Sequence, residues 1–141
     1  GYNPQGDVDL NYCNNLRVFR YAEALLTYAE MVVMHGQSPV GGITAQACLD
    51  EVRLRALGKA SSIPATTENI KLERRREFVG EGMRFWDIVR WGDTALLTEN
   101  LTEYNSVRSW NDNWKYLPIP QSEIDKTAGT EFALQQNPGY N

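Results

Sequence analysis

Histidine and cysteine are scarce in this chain. His35 is the only histidine, which excludes a metal site built from histidines alone. Cys13 and Cys48 are the only cysteines, too few for a disulfide framework or a cysteine-based zinc site. Cys13 lies in a polar stretch and Cys48 in a helical pattern, and both read as free thiols. An excess of positive charge is also missing: 14 Lys and Arg against 18 Asp and Glu leave a net charge of −4, which argues against nucleic acid as a partner. No apolar run approaches the roughly 20 residues of a membrane span. The opening Gly1-Tyr2-Asn3-Pro4-Gln5-Gly6 has neither the basic start nor the apolar stretch of a signal peptide. There is no glycine-rich phosphate loop, no nucleophile elbow, and no Ser or Cys framed around His35 as a triad would need. No cofactor and no metal are expected, and no catalytic residue is assigned.

The chain does have 141 residues, 42% of them hydrophobic, enough for one domain with a core. Residues 1–15 read as loop, rich in Asn, Gly, Pro and Asp. From about 16 to 34 the pattern is helical. Phe19, Ala22, Leu26, Ala29 and Val33 form one apolar seam, and Val18, Tyr21, Leu25, Tyr28 and Val32 a second beside it. So wide an apolar face needs neighbours on more than one side. Gly36, Pro39, Gly41 and Gly42 break the chain. A second helix is predicted from Ala45 to Leu57, capped by Thr44 and stopped by Gly58, with Ala45, Cys48, Leu49, Val52 and Ala56 inward and Arg53 and Arg55 toward solvent or a polar neighbour. The two helices make an antiparallel hairpin of tetratricopeptide size. One such unit cannot bury both its faces, so further partners of the first helix are expected from a longer parent chain.

A third helix is predicted from Thr66 or Thr67 through Val79, then a break at Gly80-Glu81-Gly82, then a short helix from Met83 to Trp91 stopped by Gly92-Asp93. A short helix at 94–101, a polar loop and an extended Tyr116-Leu117-Pro118-Ile119-Pro120 follow, because alternate prolines forbid helix. Ser122 is expected to cap a single turn, and Asn137-Pro138-Gly139-Tyr140 is a turn sequence. The expected fold is mainly α: a tetratricopeptide-like hairpin, further helices and a loop-rich C-terminal region.

Two groups of residues carry chemistry. Glu73-Arg74-Arg75-Arg76-Glu77, with Glu81, Arg84, Asp87 and Arg90, places opposite charges at helical spacing. It can be a polar ligand site or a catalytic carboxylate pair. Alternation of sign beside large aromatics favours a structural network in which guanidinium groups tie the helices across the glycine break. Phosphate binding by the three arginines is opposed by the flanking glutamates. The second group is aromatic. Trp86 and Trp91 read as core. Tyr104, Trp110, Trp114 and Tyr116 lie in a stretch rich in Asn and Asp. A pyranose stacks its C–H face on an exposed ring while amides and carboxylates bond its hydroxyls, so Trp110 and Tyr104 are the candidate ligand residues. A loop pinned to a core by its own aromatics has the same composition.

Four segments, in order, resemble the SusD/RagB family. They are Arg20-Tyr21-Ala22-Glu23-Ala24-Leu25-Leu26 with Tyr28-Ala29-Glu30; Glu51 to Gly58; Glu73 to Phe78 with Glu81 to Gly92; and Tyr116 to Gln121 with Glu123-Ile124-Asp125 and Gln136-Asn137-Pro138-Gly139-Tyr140. The resemblance implies that residues 1–141 are the C-terminal part of a longer, mostly helical protein. That protein would be held on the outer face of the outer membrane by an N-terminal lipid outside this sequence. It would bind an oligosaccharide or other nutrient, pass it to a SusC-like TonB-dependent transporter, and not act as an enzyme. The matched segments look fold-forming, so no ligand residue is carried over from the family.

Overall fold

The structure is a computed structural model describing residues 18–98 and 108–140. Among the described residues there are five α-helices, two 3-10 turns and no strand, which agrees with the mainly α expectation. They fall into two compact units that part between Val79 and Gly80.

The N-terminal unit holds α1 (Tyr21–Met34), α2 (Ala45–Leu57) and α3 (Thr67–Glu77). Helix α1 buries Ala22, Leu26 and Ala29, a 4-3 spacing that keeps them on one face. Leu25, Tyr28, Val32 and Val33 pack half-buried against the cluster of Ala29, Ala45, Cys48 and Ile70. Small side chains at Ala22, Ala29, Ala45 and Cys48 leave room for helix backbones to approach closely. The first turn of α1 (Ala22, Leu25) and the end of α2 (Val52, Arg55) line one cleft of about 310 Å³, while Ala29 near the end of α1 meets Ala45 at the start of α2. The pair is therefore antiparallel, and α3 packs on both helices.

Helix α1 begins later than its periodicity suggests. Arg20 is extended (φ −143°, ψ 160°), and Val18 and Phe19 precede the helix, 73% and 75% exposed, instead of joining its seams. Tyr21 is exposed as well. The Arg20 guanidinium explains the late start: it donates to both the carboxylate and the main-chain carbonyl of Glu77, holding Arg20 in tertiary contact at the helix entrance.

Helix α2 has the bounds read from sequence. The Thr44 hydroxyl accepts from the Ala47 N–H at 3.1 Å, and Gly58 ends the helix with φ 66°, a left-handed conformation that costs a residue with a side chain more than it costs glycine. Ala56 is exposed and does not face inward as expected, whereas Arg53 is buried. The Gln46 side chain donates to the Ile63 carbonyl (2.8 Å) and accepts from the Ala65 N–H (2.9 Å), fastening the α2–α3 connection. Thr66 is the cap of α3, its hydroxyl accepting from the Asn69 N–H at 3.3 Å.

The C-terminal unit holds α4 (Arg84–Trp91), 3-10 turns at Thr94–Leu97 and Asp112–Lys115, and α5 (Gln121–Thr127). Gly92 closes α4 at φ 75°. The helix read for 94–101 is, in its described part, the 3-10 turn that ends at Leu97. Helix α5 starts after Pro120, so Ser122 lies inside it and is not its cap; proline presets the backbone for a helix entry. Tyr116 is extended (φ −112°, ψ 137°), and the Gln136 amide clasps this strand-like segment by donating to the Ile119 carbonyl and accepting its N–H, both at 2.8 Å. Asn137 donates to the Leu117 carbonyl at 2.7 Å. The two prolines remove ladder donors, and side-chain amides take the place of a partner strand.

Candidate functional site

Glu73 and Glu77 of α3 and Glu30 of α1 have buried side chains, and each meets arginine within the N-terminal unit. Glu73, 4% exposed, accepts from Arg53 of α2 at 2.8 Å, and Arg76 stands 3.8 Å from the same oxygen. Arg53 also donates to the Ser61 carbonyl (2.6 Å) and hydroxyl (3.0 Å), which leaves its fork well occupied. Glu77 takes both Arg20 and Arg55. Arg74 lies 4.0 Å from Glu30 of α1, and both are almost fully buried. Two guanidinium groups approach the Phe78 ring, Arg20 at 4.6 Å and Arg74 at 5.1 Å from its centre. No buried side-chain nitrogen or oxygen among the described residues lacks a hydrogen-bond partner. These pairs run from α3 back to α2 and α1. In α4, Asp87 accepts from Arg90 at 2.8 Å within the same helix.

The open chemistry lies in the C-terminal unit. Phe85 and Trp86 of α4 meet edge to face, with ring centres 5.1 Å apart. Phe85 lies 6.1 Å from Trp110, and Trp110 stands edge to face with Trp114 at 6.0 Å. These spacings suit mutually attractive aromatic pairs, each worth about 0.5–1.5 kcal/mol. The rings are not sunk in a core: Trp86 is 48% and Trp114 45% exposed, and Trp110 is half-buried. Trp86 thus corrects the expectation of a core position. Asp87 and Ile88 are the buried residues of α4, and at 100° per residue Trp86 falls on the opposite side. Trp91, half-buried, lies under the Arg90 guanidinium at 4.9 Å.

Trp110 is held at its edge. Its indole N–H donates to Asp112 Oδ1 at 2.9 Å, and Lys115 Nζ approaches the same oxygen at 3.3 Å. The indole bond first, and the Lys115 ammonium second, hold the Asp112 carboxyl below its ordinary range. Asn111 accepts from the Asn113 N–H at 3.0 Å and closes the turn that carries Trp114. Of the two candidate ligand residues, Trp110 lies between Phe85 and Trp114 in ring contact, with Trp86 joined to it only through Phe85, while Tyr104 lies outside the described residues. Phe85 and Asp112, the partners of Trp110 in the structure, are not singled out by the sequence, and Trp86 reads there as core. The Trp110-Asn111-Asp112 spacing and the helical wheel of α4 are the signals that point to them.

Other chemistries find less support. No group of three or more His, Cys, Asp or Glu among the described residues is arranged to hold a metal ion. Cys48 is buried, and burial, with the Glu51 charge second, pushes its thiol up from the usual value. Cys13 lies outside the described residues. No described helix is long and apolar enough to cross a membrane.

A helical hairpin locked by ion pairs, with a unit presenting aromatic rings after it, fits a binding protein, and the chain belongs to the SusD family, which it matches over residues 1–140. It is similar to the starch-binding protein SusD of Bacteroides thetaiotaomicron, 31% identical over 89% of this chain and 22% of that protein. Among solved structures it resembles surface glycan-binding protein A from Bacteroides fluxus: 60% identity, TM-score 0.83, covering 99% of this chain and 30% of that one. Surface glycan-binding protein A from Bacteroides thetaiotaomicron, in complex with laminarihexaose, is 41% identical, with TM-score 0.70 over 91% of this chain and 26% of that one. The chain thus spans less than a third of the length of each of these relatives.

Proposed function

We propose that this chain is the C-terminal part of a non-catalytic, cell-surface glycan-binding protein, and that Trp110, with Trp114, Phe85 and Trp86, offers stacking faces to an oligosaccharide. The carrying observation is the cluster of partly exposed rings beside Asp112, Asn111 and Lys115, the pairing of apolar faces with polar atoms that a sugar needs. Relatives named for starch and glycan binding support the reading, and the laminarihexaose complex supplies the first probe. In the same proposal, supported by the family match, the intact protein is lipid-anchored on the outer face of the outer membrane and delivers its ligand to a SusC-like TonB-dependent transporter. Nucleic acid is not a partner, and no cofactor takes part. Tyr104 remains in the proposal as a further ring.

Hydrolysis requires two carboxylates facing one cleft about 5–10 Å apart. Against this second reading, Glu73 and Glu77 are each held by two guanidinium groups at under 6% side-chain exposure. Calorimetric titration of the intact protein with laminarihexaose, and with maltohexaose as the starch-type comparison, tests the proposal. Saturable binding without release of reducing ends is expected. Trp110→Ala is expected to weaken it about tenfold or more, the scale of truncating a tryptophan anchor. Unchanged affinity in that variant would remove Trp110 from the site. Absence of any glycan affinity would favour a helical scaffold, whose partner could cover exposed Val18, Phe19 and Tyr21.

A further inference from the structure

An indole ring has one hydrogen-bond donor and no acceptor. In Trp110 that donor is already engaged, 2.9 Å from Asp112 Oδ1. The acceptor sits only two residues along, in a 3-10 turn fixed at its start by Asn111, whose carbonyl accepts the Trp114 N–H at 2.9 Å. Lys115 approaches the same Asp112 oxygen at 3.3 Å and keeps the carboxylate in place. The Trp110 ring is therefore held by its edge, and its neighbours Trp114 and Phe85 meet it at interplanar angles of 89° and 59°.

We propose that Asp112 is the positioning residue of the glycan platform: by taking the indole N–H it fixes the plane of Trp110 and leaves the ring's face, not its edge, for the sugar. This rests on the reading of Trp110 as a glycan-stacking ring. Two consequences follow from the chemistry. Contact at Trp110 is by stacking alone, because the ring's only donor is spent. The ring also enters the complex already oriented, so less side-chain freedom is lost on binding. Asp112 acts through Trp110 and need not touch the ligand. The proton stays on the indole nitrogen, and no bond is made or broken.

The test is calorimetric titration of the intact protein with laminarihexaose, each variant first checked for a folded state by circular dichroism. Asp112→Ala is expected to weaken binding about threefold to tenfold, the scale of one net hydrogen bond. Asp112→Asn keeps an oxygen acceptor and should lie within about twofold of wild type. In a Trp110→Ala background, Asp112→Ala should add no further loss. Trp110→Phe retains a stacking face without an N–H. It should bind less well than wild type, which gives a second route should Asp112→Ala fail to fold; where the double variant folds, adding Asp112→Ala to Trp110→Phe should bind no worse. If Trp110→Ala is impaired while Asp112→Ala and Trp110→Phe bind like wild type, the platform stands and the positioning role falls. If Asp112→Asn is as weak as Asp112→Ala, or the Asp112→Ala loss persists without Trp110, the carboxylate contacts sugar itself and the proposal is overturned. If Trp110→Ala binds normally, the platform reading fails and this inference with it.

Discussion

Among the described residues of the N-terminal unit the buried apolar side chains are aliphatic or small, with Phe78 the one ring; of the buried charges, Arg53 pairs with Glu73 and Arg74 with Glu30 across helices, and Glu23 of α1 is buried as well. In the C-terminal unit only Asp87 and Ile88 of the described residues are buried, and order comes from amide side chains bonded to main-chain groups and from rings packed edge to face. The first arrangement fixes how helices meet: removing one partner of an ionic pair held out of water leaves the other charge uncompensated. The second keeps large apolar rings near solvent, where a ligand can use them. The contrast predicts that folding energy and ligand affinity can be disturbed separately, the first through α2 and α3, the second through the rings.

The strongest challenge to that division is Glu73→Ala. It would leave Arg53, with 10% side-chain exposure, beside an apolar gap in place of its carboxylate partner. Breaking a buried pair in this way costs about 3–5 kcal/mol. Urea unfolding should show the loss as a lower midpoint with little change of slope. A loss under about 1 kcal/mol would mean that the pair behaves as a surface pair, and the contrast between the units would collapse.

How far the sequence could be read follows the same line. The hairpin was legible because α1 and α2 carry local signals: 3-4 spacing, a threonine cap at Thr44, a glycine stop at Gly58. The start of α1 was not, since the Arg20–Glu77 tie joins residues 57 apart and leaves no local trace. Arg53 was placed near solvent or a polar neighbour, and only the fold shows that the neighbour is buried Glu73. In the candidate site, the company of Asn and Asp is what singles out Trp110 in the sequence, and its role there is part of the proposal. Trp86 reads as core from its place in a short apolar helix, whereas in the structure Asp87 and Ile88 claim the inner face of α4 and leave Trp86 nearly half exposed. Hydrophobicity says that a ring seeks contact; it does not say whether the contact is a core, another ring or a ligand.

A smaller effect is expected at the tail. Gly139 has φ 87°, and a Cβ there would lie 2.3 Å from Nδ2 and 2.8 Å from Cβ of Asn113. Asn113 belongs to the turn that carries Trp114, so Gly139→Ala strains the left-handed backbone and also pushes against that turn. About 1–3 kcal/mol is the scale of such overpacking. The expected signature is local: a changed tryptophan emission spectrum and weaker laminarihexaose binding, with urea unfolding of α1 to α3 little altered. An unchanged spectrum and affinity would show that the tail does not hold the platform.

The smallest stability effect, and the sharpest separation, belongs to Trp86→Ala. Trp86 is nearly half exposed, and its described ring contact is the edge-to-face meeting with Phe85. Its removal should therefore lower stability by only about 0.5–1.5 kcal/mol, the value of an aromatic pair. If the rings act together as a platform, affinity falls by a larger factor than that stability loss implies, because a stacking face and the support of Phe85 go at once. Melting temperature and laminarihexaose affinity measured on the same preparation decide it. A variant that melts several degrees lower yet binds normally would return Trp86 to a structural role and shorten the platform to Phe85, Trp110 and Trp114. One that melts normally and binds weakly would place α4 in the site as firmly as the loop.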